Sequence, residues 1–183
     1  LGLGSVKQVV ILINESNLNS EKETSFFGTV PIAEALLSKS FVEAGISVVN
    51  RVLIRYEVSE KTIMSAIQGS ISAAASIGST VGVDIDILGN ATSTTVINKK
   101  NINLKIVQVG INVKAISSSQ SKVVAAKSDF STVTRDEIFE SETVASYRAG
   151  KKITEFLIPA IQKYLEPESA KKKAKQGLAI DVD

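Results

Sequence analysis

The chain contains no histidine and no cysteine. Histidine is the commonest general base near neutral pH and the usual ligand of transition metals, and cysteine supplies the thiolate of many nucleophiles and zinc sites. Their absence excludes the enzyme classes built on these side chains. A chain without cysteine fits a reducing cytosol and a disulfide-free periplasm equally well. We therefore predict a protein that is not an enzyme, binds no cofactor or metal and acts through its surface.

Neither sign of charge dominates, and long apolar runs are absent. The chain has 21 basic and 19 acidic residues, and the two signs alternate along most of its length. A surface that binds nucleic acid usually carries a basic stripe, so we predict no nucleic-acid partner. The longest apolar run, residues 63–83, is interrupted by Gln68, serines and glycines, and falls short of the roughly 20 apolar residues of a membrane helix.

The hydrophobic pattern switches between the period of a strand and that of a helix. It predicts strands over residues 7–13, 46–54, 81–87, 102–116 and 123–134, and helices over residues 33–44, 59–78 (or as far as Gly82) and 134–164. A phase slip at Ile106-Val107 predicts a β-bulge, and an extra hairpin fits between Gly89 and Ile102. The order is β-α-β-α-β-β-β-α, an α/β (α+β) fold with a mixed sheet and helices mainly on one face.

The predicted organisation is one domain between two short ends. Residues 1–6 form an N-terminal extension, residues 7–165 a single α/β domain, and residues 166–183 a charged, flexible tail. The chain starts at Leu1, which indicates either a removed leader or a trimmed chain. The tail carries a lysine cluster that fits either peripheral contact with anionic lipid headgroups or a solvated terminus, and its members are Lys171, Lys172, Lys173 and Lys175.

Two carboxylates stand two residues apart in the strand predicted over residues 81–87. Because side chains alternate along a strand, Asp84 and Asp86 point to one side while the valines and isoleucines point to the other. The favoured interpretation is that both aspartates form the solvent-exposed face of a half-buried strand. The alternative is a site for a divalent cation in a soluble enzyme or ligand-binding module. No third acidic residue lies nearby in sequence.

Three passages follow one another in a characteristic order. Residues 33–51 contain a helix, Gly45 and a hydrophobic strand before Asn50-Arg51; residues 81–89 lead from Asp84 through hydrophobic residues to Gly89; residues 123–126 read Val-Val-Ala-Ala after a polar turn. Together they resemble a bacterial cell-envelope superfamily that includes the curli secretion channel lipoprotein (CsgG-like), flagellar assembly protein T, the lipoprotein activators of penicillin-binding proteins and the amino-terminal domain of TolB. Asn50 departs from this pattern, because an acidic residue is common there.

The resemblance implies a non-enzymatic structural or assembly component of a bacterial envelope machine of the secretion or flagellar type. The implied location is the periplasm, either free or associated with the outer membrane. The implied partners are copies of the chain itself, in a ring-like assembly, and other envelope-machine proteins. A regulator that docks on a cell-wall enzyme is an alternative within the same superfamily.

The helix predicted over residues 59–78 is the expected contact surface of such a ring. Its second half consists of small residues, so it can lie very close to a sheet or to another helix. The expected interface residues are Ser70, Ala73, Ala74 and Ser76.

Overall fold

The fold is built on a five-stranded sheet. The computed structural model describes residues 7–20, 25–101 and 103–166. The predicted N-terminal extension and the lysines at 171, 172, 173 and 175 lie outside these residues. No helix in the described ranges combines the length and the apolar character that crossing a membrane requires.

Five strands and five helices make up these ranges. Their bounds are β1 Gln8–Asn17, α1 Ile32–Glu43, β2 Ser47–Val48, α2 Arg51–Glu57, α3 Glu60–Ile67, α4 Ile71–Val81, β3 Ile85–Ile97, β4 Lys105–Ser117, β5 Lys122–Arg135 and α5 Ile138–Tyr164. The mixed α/β class predicted from the sequence is confirmed.

The sheet changes from parallel to antiparallel at its central strand. Its order is β2-β1-β3-β4-β5, in which β1 runs parallel to β2 and β3, while β3, β4 and β5 form an antiparallel meander. Parallel neighbours need a crossover, and here α1 and the α2–α4 group supply the two crossovers. Antiparallel neighbours need only a turn, which leaves α5 free to follow β5 and pack back onto the sheet.

Two hydrophobic clusters lie on opposite faces of the sheet. On one face, α1 and the long α5 cover side chains such as Ile11, Ile87 and Ile111. On the other, the α2–α4 group covers a smaller cluster that includes Leu12 and Leu88. The first layer extends from β1 to β5, whereas α4, the outermost helix of the second layer, reaches only the start of β3 and the end of β4.

The second predicted strand is much shorter than expected. Only Ser47 and Val48 pair with β1, and α2 begins at Arg51. The prediction of strand over residues 46–54 is wrong because the Asn50 side chain accepts a hydrogen bond from the amide of Val52 and caps a helix instead.

The helix predicted over residues 59–78 is two helices. Gly69 has a φ of +118°, a conformation that favours glycine, and the next residue, Ser70, caps α4 through the amide of Ala73. The predicted start at Ser59 is confirmed, since its side chain accepts from the amide of Thr62.

The antiparallel strands are longer and more regular than predicted. β3 continues through the threonine-rich segment to Ile97, so no hairpin interrupts it after Gly89. β3 and β4 pair without a register shift at Ile106-Val107, and the predicted bulge there is wrong. The irregularity lies at the other end of β4, between Ala115 and Ile116, where β5 contributes an extra residue. The slip in the hydrophobic phase arose because Leu104 precedes β4 and Ile106 lies in β4 on the face opposite the buried Val107.

A substitution at Gly89 would test how closely β3 and β4 approach each other. A Cβ at Gly89 would lie 2.1 Å from the backbone oxygen of Asn112, which the sheet holds in place, so we expect Gly89→Ala to lower the free energy of unfolding by about 2 kcal/mol. Gly110→Ala is the matched control, since its nearest atom is 3.6 Å away. Urea unfolding of both variants measures the difference, and equal stability would contradict the close approach.

Candidate functional site

Asp84 lies immediately before β3 and Asp86 lies within it, and the two side chains have different surroundings. Asp84 is exposed, and its Oδ2 accepts a 3.2 Å hydrogen bond from the Gln8 amide. Asp86 is fully buried, and its Oδ2 accepts a 2.8 Å hydrogen bond from the Ser118 hydroxyl while Oδ1 has no partner. The expectation that both form a solvent-exposed face is therefore wrong for Asp86. Among the described residues, no three acidic side chains converge to hold a metal ion.

Helix α4 is the reason for this burial. A Cβ at Gly78 would lie 1.9 Å from the Ser118 hydroxyl oxygen and 2.4 Å from Asp86 Oδ2, so only glycine permits the helix to lie this close. The prediction that the small-residue helix can lie very close to a sheet is confirmed. Burial raises the pKa of Asp86 to about 7, and the hydrogen bond from Ser118 opposes this only in part.

Replacing Asp86 by asparagine should change the pH dependence of stability. Since its folded pKa is raised from 3.8 to about 7, Asp86 stabilises the fold fully below about pH 4 and loses this contribution as the pH rises through 7. We expect Asp86→Asn to raise the free energy of unfolding at pH 8 by a few kcal/mol, because each unit by which the pKa is raised corresponds to about 1.4 kcal/mol.

Urea unfolding between pH 4 and pH 8 measures this effect, and Asp84→Asn is its matched control. The control removes an exposed carboxylate, so its stability curve should follow that of the unmodified protein. Glu34, described below, also has a raised pKa and keeps part of the pH dependence in every variant. A curve for Asp86→Asn that is parallel to that of the unmodified protein would contradict the prediction.

A buried ion pair joins α1, α2 and β1 on the opposite side of β1 from β3. The Arg51 guanidinium donates to Glu34 Oε2 and to the carbonyl oxygen of Phe26, and its central carbon lies 3.9 Å from the centre of the Phe26 ring. Glu34 Oε2 also accepts a 2.8 Å hydrogen bond from the Ile13 amide. Burial raises the pKa of Glu34 to about 7 despite these donors. Sequence reasoning missed this pair: both residues lie in the passage 33–51 that resembles the superfamily, but they are 17 positions apart and nothing in the pattern indicates that they meet.

A cleft of about 910 Å³ lies beside this ion pair, at the carboxyl end of β1. Its two acidic side chains bind groups of the protein itself. Glu15 Oε2 accepts a 2.9 Å hydrogen bond from the Ile32 amide at the start of α1, and Glu142 Oε1 accepts from the Asn17 side chain at 3.3 Å. Burial, together with repulsion from Glu142, raises the pKa of Glu15. These hydrogen bonds therefore hold β1, α1 and α5 in position around the cleft.

A substitution of Arg51 would measure how much the ion pair contributes to stability. Arg51→Met leaves the Glu34 carboxyl buried without its cation, so we expect a loss of about 3 to 5 kcal/mol in the free energy of unfolding. The control Arg55→Met lies on the same helix but is exposed, and should change stability by less than about 0.5 kcal/mol. Denaturant unfolding at pH 8 distinguishes the two; similar losses would show that Arg51 has no special structural role.

The predicted ring interface is only partly at the surface. Ala74 is fully buried in the second hydrophobic cluster, so its side chain cannot contact another subunit. Ser70 caps α4, Ala73 packs against the same cluster, and Ser76 is exposed. A ring interface that uses Ser70, Ala73 and Ser76 stays a prediction.

The half of the sheet that α2–α4 do not reach has a nearly uncharged surface, which we call the open face. Its residues are register neighbours on β3, β4 and β5, none of them is buried, and Lys114 is the only charged one. They are Asn90, Thr92, Thr94, Val96, Ile106, Gln108, Gly110, Asn112, Lys114, Ala126, Ser128, Phe130, Thr132 and Thr134. Phe130 is 70% exposed and stands directly opposite Gly110.

The charged residues of β5 point the other way, towards α5. Lys127 lies 5.5 Å from the centre of the Phe156 ring, Asp129 Oδ1 is 3.3 Å from the Lys152 ammonium, and Arg135 pairs with Glu140. The alternation of charged and uncharged residues along residues 126–135 could have revealed the open face from the sequence.

Among the similar solved structures, one shares this fold at a TM-score above 0.5, and its sequence identity to this chain is very low. A hypothetical protein from Chlamydia trachomatis, CT253, is similar with a TM-score of 0.54 and 6% identity over 82% of this chain and 94% of that chain. Lipoprotein GNA1162 from Neisseria meningitidis reaches a TM-score of 0.46 at 13% identity, over 81% of this chain and 98% of that chain. PelC from Paraburkholderia phytofirmans, solved as a dodecamer, reaches 0.41 at 16% identity, over 79% and 84%.

The Chlamydia protein shows that the fold occurs elsewhere, and at 6% identity it shows nothing about activity. The other two similarities are too low to support an argument about this chain. No protein-family model and no curated protein matches the sequence.

Proposed function

We propose that this chain is a non-enzymatic structural or assembly component of the bacterial cell envelope that acts by binding other proteins through the open face. The observation that carries the proposal is the open face itself, a broad exposed sheet surface with one charged residue. The three passages that resemble the cell-envelope superfamily support the envelope, and the periplasm within it, as the location.

The composition of the open face is that of a contact surface. Charged residues make up 22% of the chain, yet Lys114 is the only one among the open-face residues. Centres of protein interfaces are depleted in charge and often carry an exposed aromatic side chain, and the open face has one charged residue and the 70% exposed Phe130. A sheet face that only meets water gains solubility from charged side chains, and this face has only one.

The positions of the ionisable groups support a role without catalysis. Asp86 is enclosed under α4, and Glu34 is held by Arg51 and the Ile13 amide. Glu15 and Glu142 are bound to groups of the protein at the edge of the cleft. These contacts explain the raised pKa values by burial in the fold, so the pKa values do not require a reactive centre.

The nature of the partner is the finer part of the proposal. Self-association, in a ring as the sequence resemblance implies, and docking on another envelope protein such as a cell-wall enzyme both use an uncharged surface. A photo-crosslinking amino acid at Gln108, in the middle of β4, reports on the open face directly. We expect it to form protein adducts in living bacteria, and mass spectrometry then identifies the partner.

The same crosslinker at Lys39 on α1 is the control, because that side chain is exposed on the opposite side of the sheet. A lysine introduced at Thr94, which pairs with Gln108 in the register, should reduce the Gln108 adducts at least tenfold by placing a charge in the contact. The absence of adducts at Gln108, or equal adducts at both positions, would refute the proposed function.

A further inference from the structure

We propose that β5 pairs antiparallel with β5 of a second copy, about a two-fold axis through Ser128, to form one continuous ten-stranded sheet. This inference goes beyond the proposed function and names a second copy of the chain as a partner. It concerns a different surface, the edge of the sheet, whereas the proposed function concerns the open face.

The edge formed by β5 is long and available. β5 has 14 residues and pairs only with β4 within the described residues, whereas the opposite edge, β2, has two. An unpaired edge strand presents a row of free amide and carbonyl groups, and natural proteins usually shorten it, cover it or charge it. Here the charged side chains lean towards α5, and none on β5 lies in the open face.

Charge selects the register of this pairing. With Ser128 on the axis, Lys127 stands directly opposite Asp129 of the second copy, and Asp129 opposite its Lys127. Moving the axis by one residue places Lys127 opposite Lys127, or Asp129 opposite Asp129, and like charges directly opposite each other are destabilising. Asp129 already lies 3.3 Å from the Lys152 ammonium, so each carboxylate would join two cations.

The sizes of the side chains on the open face favour the same register. With Ser128 on the axis, Phe130 of each copy stands opposite Ala126 of the other. A large ring therefore meets a small side chain at both symmetry-related positions, and the dimer partly buries Phe130, which is 70% exposed in the single chain. The uncharged open face then runs without interruption across both copies.

The positions of the two α5 helices are also compatible with this pairing. α5 packs on both β4 and β5, so its axis lies over this strand pair. Two copies of α5 are then about two strand spacings apart, roughly 10 Å, which is a normal distance between packed helices. Phe156, which is 47% exposed and lies over Lys127 of β5, would face the second copy.

A charge-swap series tests the register. Lys127→Asp and Asp129→Lys each place like charges opposite each other, so we expect either change to weaken dimerisation at least tenfold. Mixing the two single variants restores opposite charges at all positions and should give a heterodimer, and the double variant should dimerise by itself. Analytical ultracentrifugation measures all four, with circular dichroism to confirm that each variant is folded.

Because the chain has no cysteine, single cysteines give a second, independent test. Directly opposite residues of an antiparallel pair have Cα atoms about 4.5 to 5.5 Å apart, within the range that a disulfide spans. Ser128→Cys should therefore form a disulfide-linked dimer under mild oxidation. Thr132→Cys, on the same strand and face, should not, because four residues separate it from the axis.

The results distinguish this inference from the proposed function. A protein that is monomeric at all concentrations, or whose self-association is unaffected by both single charge changes, overturns the β5 pairing. In either case, adducts from Gln108 would still support contact through the open face. Dimerisation without any adducts from Gln108 would support the edge pairing and refute the open face.

Discussion

A mismatch in length between β3 and the helices above it determines most of this structure. β3 has 13 residues and spans roughly 44 Å, whereas the 11 residues of α4 span only about 16 Å. The first half of β3 is therefore enclosed on both faces, and the second half is enclosed on one. The buried Asp86 and the open face are the two consequences of this constraint, at opposite ends of the same three antiparallel strands.

The enclosed half uses polar groups to hold its elements together. Asp86 and Ser118 join β3 to the turn after β4 beneath Gly78, and the Glu34–Arg51 pair joins α1 to α2 beside the end of β1. Such buried groups stabilise a fold only when their partners are in place, so they specify one arrangement of helices more than they add to stability. Among the described residues, the open face contains no buried carboxylate or ion pair of this kind, and its side chains remain available to partners.

Much of the fold could be predicted from the sequence because hydrophobic period and caps are local signals. The cap at Ser59 and the alternation along β4 and β5 belong to this class, whereas the cap at Ser70, which is equally local, was missed. The errors occurred where a local signal was ambiguous. Residues 46–54 have the composition of a strand, but the Asn50 cap and contacts with the Phe26 region select a helix. For the candidate site, the sequence identified Asp84 and Asp86 but not their unequal burial.

By itself, the sequence determined the mixed α/β class, the absence of histidine and cysteine chemistry, and the small residues that let α4 approach the sheet. These properties depend on composition and on neighbours along the chain. Only the tertiary structure decided that Asp86 is buried while Asp84 is exposed, that Glu34 meets Arg51, and that one half of the sheet is left open. Each of these depends on which helix covers which strand, and residues far apart in the chain decide that together.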